Sequence, residues 1–528
     1  MKNIALLIAV FIFLAGNSFA QDLRKKAETN PLDCALYLLA KDKNFVDTDN
    51  LARTFLEVRR FDDALRVFDF EENSYSKFMW LSHYGKKLLE ENRRDEANKF
   101  FTKAFVVLRD EEKWAGENRL PDFVSGLIQL NRSAEALEVL EHQKYDDDKA
   151  EIFISFADTY LKLGQTDKAI KALQTAFELR NSFEDSDNLF LIARLYAKLK
   201  QFDEALKVLK HIENDAVQIT DTDDRHAVFL RLIPVYLQIN QKERAYQTWQ
   251  QNGDLSDSAD VFSFASFLIE NGNVEMAKPY LLQLADDKEF LGGRYGEGFV
   301  RLQLKLNDLE TASTIARTMS DENDDYFQQE ALMLVADRFI AEGKNDSALE
   351  ILDFAFGRAR KIVYEHNPMD SVGASSGSRK EIYLGHIFER LMKLKQFDKA
   401  FLVFNAIDSE HHFARDFLAG HMVEFAKQQT KTLPRKKIYT FLAEAQNIVK
   451  DEEYHSIDIT LRSAEVYAQM GEKAKAVEML TKVLEEALES CCYDDDFLLS
   501  AGKVFEQNKL KADANMKKVL LKFIIDAE

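Results

Sequence analysis

Proline and glycine are scarce, 6 and 19 among 528 residues, which excludes long flexible linkers and disfavours a many-turned all-β fold. Cysteine is scarcer still, at three. Cys34 stands alone and Cys491-Cys492 are adjacent, so no disulfide framework can be drawn, and the bland reading is small buried side chains on helices. Basic charge is in deficit, with 70 Lys and Arg against 90 Asp and Glu and a formal charge of −20. That balance disfavours nonspecific attraction to nucleic acid or to an anionic membrane surface. After residue 20 there is no unbroken apolar run of the roughly 18 residues that a spanning helix needs, so no stable membrane insertion is expected of the mature chain.

Chemistry-bearing motifs are missing as well. The ten histidines form no HExxH pair, no CxxC occurs, and His411-His412 point about 100° apart on a helix, which does not converge on one metal. Asp146-Asp147-Asp148 and Asp494-Asp495-Asp496 lack the spaced Asp/Asn–Gly–Glu pattern of a calcium loop. The glycine cluster Gly292 to Gly298 follows no strand and reads as the start of a helix, not as a phosphate cradle. No Walker motif is present, and a G-x-S-x-G run at Gly373 to Gly377 falls within a Ser/Gly-rich stretch. The chain therefore reads as non-catalytic, with no metal and no cofactor.

What is present begins with a leader-like segment. Lys2 gives a positive start, Ile4 to Gly16 is an apolar run of thirteen residues, and Ser18-Phe19-Ala20 offers small residues before Gln21. This is the form of a secretory signal peptide cut after Ala20, too short to span a bilayer comfortably. Asn17 stands where a lipobox needs Cys, so the expected location is periplasmic or secreted without a lipid anchor.

Beyond it the chain repeats itself. Ala157 to Ala169, Ala193 to Ala205 and Ala464 to Ala476 share one pattern. An anchoring alanine recurs at Ala64, Ala97, Ala136, Ala169, Ala205, Ala245, Ala277, Ala312, Ala348, Ala400 and Ala476, mostly 32 to 40 residues apart, with two longer gaps of 52 and 76. Five residues before the anchor, Gly or Asn stands in eight of eleven repeats; both tolerate the left-handed backbone that ends a helix. Nine before it an aromatic stands in six, and twelve before it Ala stands in six. Small residues let two helices approach, and a large ring fills the gap beside them. The anchor opens a second apolar run with helical spacing, as in Ala205, Val208, Leu209 and Ile212. Each unit is predicted to be helix, tight turn, helix, and none can bury its apolar face alone.

These columns resemble the tetratricopeptide repeat family, with Tyr, then Gly four residues on, then Ala five further. Tyr160/Gly164/Ala169 and Tyr467/Gly471/Ala476 match outright; Tyr196 and Ala205 keep the pattern with Lys200 between them, while Leu268 and Gln303 replace the Tyr in two other copies. The resemblance spans roughly residues 45 to 488 and implies an all-α, right-handed superhelical solenoid. The expected organisation is a leader at 1–20, a helical cap at 21–45, a repeat array at 46–364, a Ser/Gly-rich loop at 365–380, further repeats at 381–490 and a C-terminal cap at 491–528. One degenerate hairpin is expected at about 413 to 447, and Lys503 to Lys522 suit the polar face of an end cap.

The resemblance also implies a function: binding a protein or peptide, with the first helix of each unit lining a concave groove. Residues eleven and seven before each anchor would face that groove. Two such pairs are doubly basic, Arg194/Lys198 and Arg301/Lys305, and either could hold one anionic group. Neighbouring acids such as Asp158, Glu270 and Glu297 are the competing partners for these cations. The alternative role is a permanent structural subunit of a cell-envelope assembly.

Overall fold

The computed structural model describes residues 21–43, 45–110, 120–141, 143, 145–180, 186–253, 257–292, 294–319, 326–361, 379–404, 406, 412–451, 453–489 and 495–527. The leader, most of the Ser/Gly-rich loop and Cys491-Cys492 lie outside them. Every regular element among the described residues is helical. After helical residues 21–27 and the helix Pro31–Lys41, the helices follow one another in pairs, from Thr48–Glu57 with Phe61–Val67 to Asp495–Gln507 with Ala514–Ala527, with one extra short helix at Lys288–Gly292. The chain is thus an all-α solenoid of tandem helical hairpins.

The turns fall where the periodic columns place them. The residue five before each anchor has a left-handed backbone in all eleven repeats, from Arg59 (φ 64°) through Gly164 (φ 70°) to Gly471 (φ 85°). In each, the next N–H reaches back to the carbonyl of the aromatic column, as Gln165 N–H does to Tyr160 at 2.8 Å and Glu472 N–H to Tyr467 at 2.9 Å. This is the Schellman closure, which satisfies carbonyls that the helix end leaves orphaned. Nothing lies within 4 Å of the space a side chain would take at Gly164, so glycine serves there through its backbone alone.

The anchors occupy the helix crossings. Ala64, Ala97, Ala169, Ala205, Ala277, Ala312, Ala348, Ala400 and Ala476 are fully buried, as are Ala52, Ala193, Ala265, Ala336 and Ala464 in the small column. Of the aromatic column, Phe55, Tyr196 and Tyr236 are buried, while Tyr160, Phe339 and Tyr467 are half-buried. Burial pushes the Tyr196 hydroxyl up to about 12, because a phenolate loses more from desolvation than a phenol. Phe101 packs so closely against the helices before and after its own that a Cβ at Gly126 would sit 2.0 Å from its Cζ, and one at Gly85 2.7 Å from its Cε2. Both are close-approach sites; Gly85 stands in the small column, twelve before Ala97, whereas Gly126 lies outside the columns.

The long gap between Ala400 and Ala476 holds the hairpin of His412–Gln428 and Arg435–Ile448. Its turn is built differently. Leu433 N–H donates to the Gln429 carbonyl at 3.0 Å, Pro434 leads into the second helix, and buried Ile438 takes the slot of the anchoring alanine.

Two compact units emerge. One is Ser74–Phe354; the other joins the chain up to Asn73 with Ala355–Glu528. Within the second, Pro31–Lys41 packs on both Asp495–Gln507 and Ala514–Ala527, and Thr48–Glu57 packs on Asp495–Gln507. Lys511, Lys517, Lys518 and Lys522 are exposed along this pair of helices, while its other face is packed. Lys503 pairs with Glu57 at 2.5 Å, and Val519 and Leu520 are buried, because the two ends of the chain cover each other.

Candidate functional site

Within Ser74–Phe354 the first helices stack on one another: Asp146–Lys162 on Asp187–Lys198, then Thr222–Gln238, Ser258–Glu270, Arg294–Lys305 and Tyr326–Ala341. They form one continuous wall, and residues eleven and seven before each anchor hold equivalent places along it. The small and aromatic columns turn inward to the crossings, which leaves these two columns to the polar side.

Most cations in the two columns are already neutralised. Lys86 Nζ lies 2.8 Å from Asp122 and Lys162 Nζ lies 2.7 Å from Asp158. Arg301 Nε donates to Glu297 at 2.5 Å, one helical turn away, and Lys305 Nζ reaches Glu270 of the preceding first helix at 3.4 Å. Arg301 and Lys305 are exposed, and each is paired with an acid of the wall. Their acids stand where helical geometry brings side chains together, four residues back and one repeat back.

Arg194 and Lys198 differ. Both are exposed on Asp187–Lys198, and neither forms a hydrogen bond or ion pair with a described residue. Leu191, three residues before Arg194 on the same helical face, is 45% exposed. The next first helix contributes Arg231, which pairs with Asp187 and lies over the Phe190 ring at 4.3 Å to its centroid. The result is an apolar foothold beside two free cations on an otherwise acidic chain.

A second feature of this wall escapes the columns. A recess of about 480 Å³ opens beside Met79, Ser82, His83, Lys86, Glu90 and Asp122. Ser82 is buried and its hydroxyl has no partner. Ser82 and His83 stand one turn ahead of the Lys86 column, a position for which the repeat pattern gives no rule. Among the described residues no group of three His, Cys, Asp or Glu could hold a metal, and no helix is long and apolar enough to cross a membrane.

Two family models and several solved structures match this chain. The family model for subunit 3 of the anaphase-promoting complex, or cyclosome, matches residues 138–212, and that for the tetratricopeptide repeat matches residues 460–487. Residues 460–487 are thus a repeat of the tetratricopeptide type. No curated protein matches. Among solved structures, a maize pentatricopeptide repeat protein is 12% identical, with 94% of this chain and 78% of that one covered and a TM-score of 0.33. Ton1535 from Thermococcus onnurineus is 13% identical, covering 76% and 98%, with a TM-score of 0.25. The APC/C hetero-tetramer Cut9–Hcn1 is 13% identical, covering 89% and 87%, with a TM-score of 0.21.

Proposed function

We propose that this chain is an exported, non-catalytic scaffold that captures a protein or peptide on the first-helix wall of Ser74–Phe354. The observation that carries the reading is the free pair Arg194 and Lys198. Every other basic residue in those two columns of the unit holds a carboxylate. An exposed cation pair beside Leu191 suits an acidic segment with an apolar side chain next to its carboxylate. Because the contacts are solvent-accessible, binding is salt-sensitive. The experiment is quantitative recovery of co-purifying protein by tagged chain. Arg194→Ala/Lys198→Ala lowers recovery about tenfold at low salt, whereas Arg301→Ala/Lys305→Ala leaves it near the parent. Equal recovery from both would reject the assignment. Export rests on the Lys2 start, the apolar run and Ser18-Phe19-Ala20; an envelope form whose intact mass begins at Gln21 tests it.

A second reading, a permanent subunit of an envelope assembly, draws on a different observation. Exposed large apolar side chains concentrate on second helices, among them Val106, Leu137, Tyr246, Met276, Leu282 and Leu402. A stoichiometric complex that survives high salt would favour it.

A further inference from the structure

We propose that the two ends of the chain form a releasable clasp, with Arg60 as its hub and Cys34 shielded beneath it. The Arg60 guanidinium holds three carboxylates at once: Asp33 at 2.5 Å, Asp63 at 2.8 Å and Glu506 at 2.9 Å. Glu506 also accepts from Asn30 Nδ2 at 2.6 Å, and Lys503 pairs with Glu57 at 2.5 Å. Arg66 approaches Asp63 at 3.1 Å on the outer side. Three acids around one guanidinium leave an excess of negative charge once Arg60 is withdrawn. Its loss therefore converts attraction into repulsion across the seam.

The apolar half of the seam is tight. A Cβ at Gly502 would lie 2.6 Å from Leu32 Cγ, so only glycine lets the two helices meet there. Cys34 is fully buried, and its sulfur sits 4.0 Å from the Leu520 carbonyl. Desolvation pushes its thiol far above the usual range, which keeps it unreactive while the seam is shut.

Opening at this seam needs no hairpin to unfold. It joins residues 446 positions apart, Arg60 and Glu506, and the helical pairs on either side keep their own turns. Its outer ion pair is half-exposed, with Glu57 at 34% and Lys503 at 42%, and so is weakened by salt, whereas Arg60 and Asp33 are more enclosed. Opening there releases the N-terminal helices from the C-terminal pair while the hairpins persist.

Cys34 reports this directly. In a full-length Cys491→Ser/Cys492→Ser background it is the sole thiol, and its rate of alkylation by N-ethylmaleimide is measured at low and high salt. The parent reacts slowly and faster with added salt. Arg60→Glu accelerates labelling at least about tenfold, and the milder Lys503→Glu accelerates it about threefold. Glu57→Lys added to Lys503→Glu restores the parent rate. Hydrogen exchange read on the same samples shows Pro31–Lys41 and Asp495–Gln507 losing protection together while Asp187–Lys198 keeps its own. An unreactive Cys34 in Arg60→Glu overturns the proposal. So does labelling that rises only together with exchange at Asp187–Lys198, since that is general unfolding and not release of a clasp.

Discussion

Gln201 donates its backbone N–H to the Tyr196 carbonyl at 2.9 Å, reaching back across Lys200, whose φ is 58°. Lysine has no intrinsic reason to adopt that backbone, yet the bond and the turn match those at Gly164 and Gly471. The flanking helices, with Tyr196 and Ala205 buried at their crossing, impose the turn on whichever residue stands there. A left-handed non-glycine residue is strained.

Relieving that strain stabilises the hairpin. Lys200→Gly is expected to raise stability by about 0.5–1 kcal/mol, the residual after glycine's extra unfolded-state entropy. The readout is the urea midpoint of the full chain, which moves upward.

The converse holds at Gly164. Its surroundings are empty, so any cost of substitution is conformational. Gly164→Val is expected to cost about 1–3 kcal/mol and Gly164→Asn far less. Equal melting temperatures for the two variants would mean that the turn does not constrain the backbone.

At the anchors the cost is steric. Ala169 and Ala205 are fully buried between helices, and Leu at either is expected to destabilise by about 1–3 kcal/mol through overpacking. Leu191→Ala on the exposed face of Asp187–Lys198 stays within about 0.5 kcal/mol of the parent. Thermal melts of the three variants make the comparison.

One acid group gives a pH signature. His421 Nδ1 lies 3.0 Å from Glu389 Oε1, and this hydrogen bond holds the Glu389 carboxyl below the usual range against the opposing effect of burial. A depressed carboxylate stabilises the fold above the ordinary carboxylate range and loses that contribution as pH falls through its lowered value. The stability difference between parent and Glu389→Gln is therefore largest near neutrality and vanishes in acid, measured as melting temperature against pH.

How far the sequence carries can be read from these same elements. Tight turns and alanine anchors are local devices, repeated at a fixed spacing, and eleven of them are legible without coordinates. The left-handed turn recurs once more at Lys509, with φ 50°, but Ala514 opens the helix after it and is exposed, so the alanine column stops at Ala476. The turn before Ile438 has no left-handed residue and so breaks the rule. The ion pairs of Arg301 and Lys305 follow from acids one turn and one repeat away, whereas the freedom of Arg194 and Lys198 needs the wall to be seen. Contact between Arg60 and Glu506 leaves no periodic trace, because nothing local links residues so distant.

The role assigned to the first-helix wall is tested most directly by where a bound partner touches the chain. A photo-crosslinking residue placed at Leu191, on a first helix, is compared with one at Leu282, on a second helix and 71% exposed. The account predicts crosslinked partner from position 191, diminished by salt and by Arg194→Ala/Lys198→Ala, and little from position 282. Crosslinks from 282 alone, unaffected by the double substitution, would contradict it and move the binding surface to the second helices.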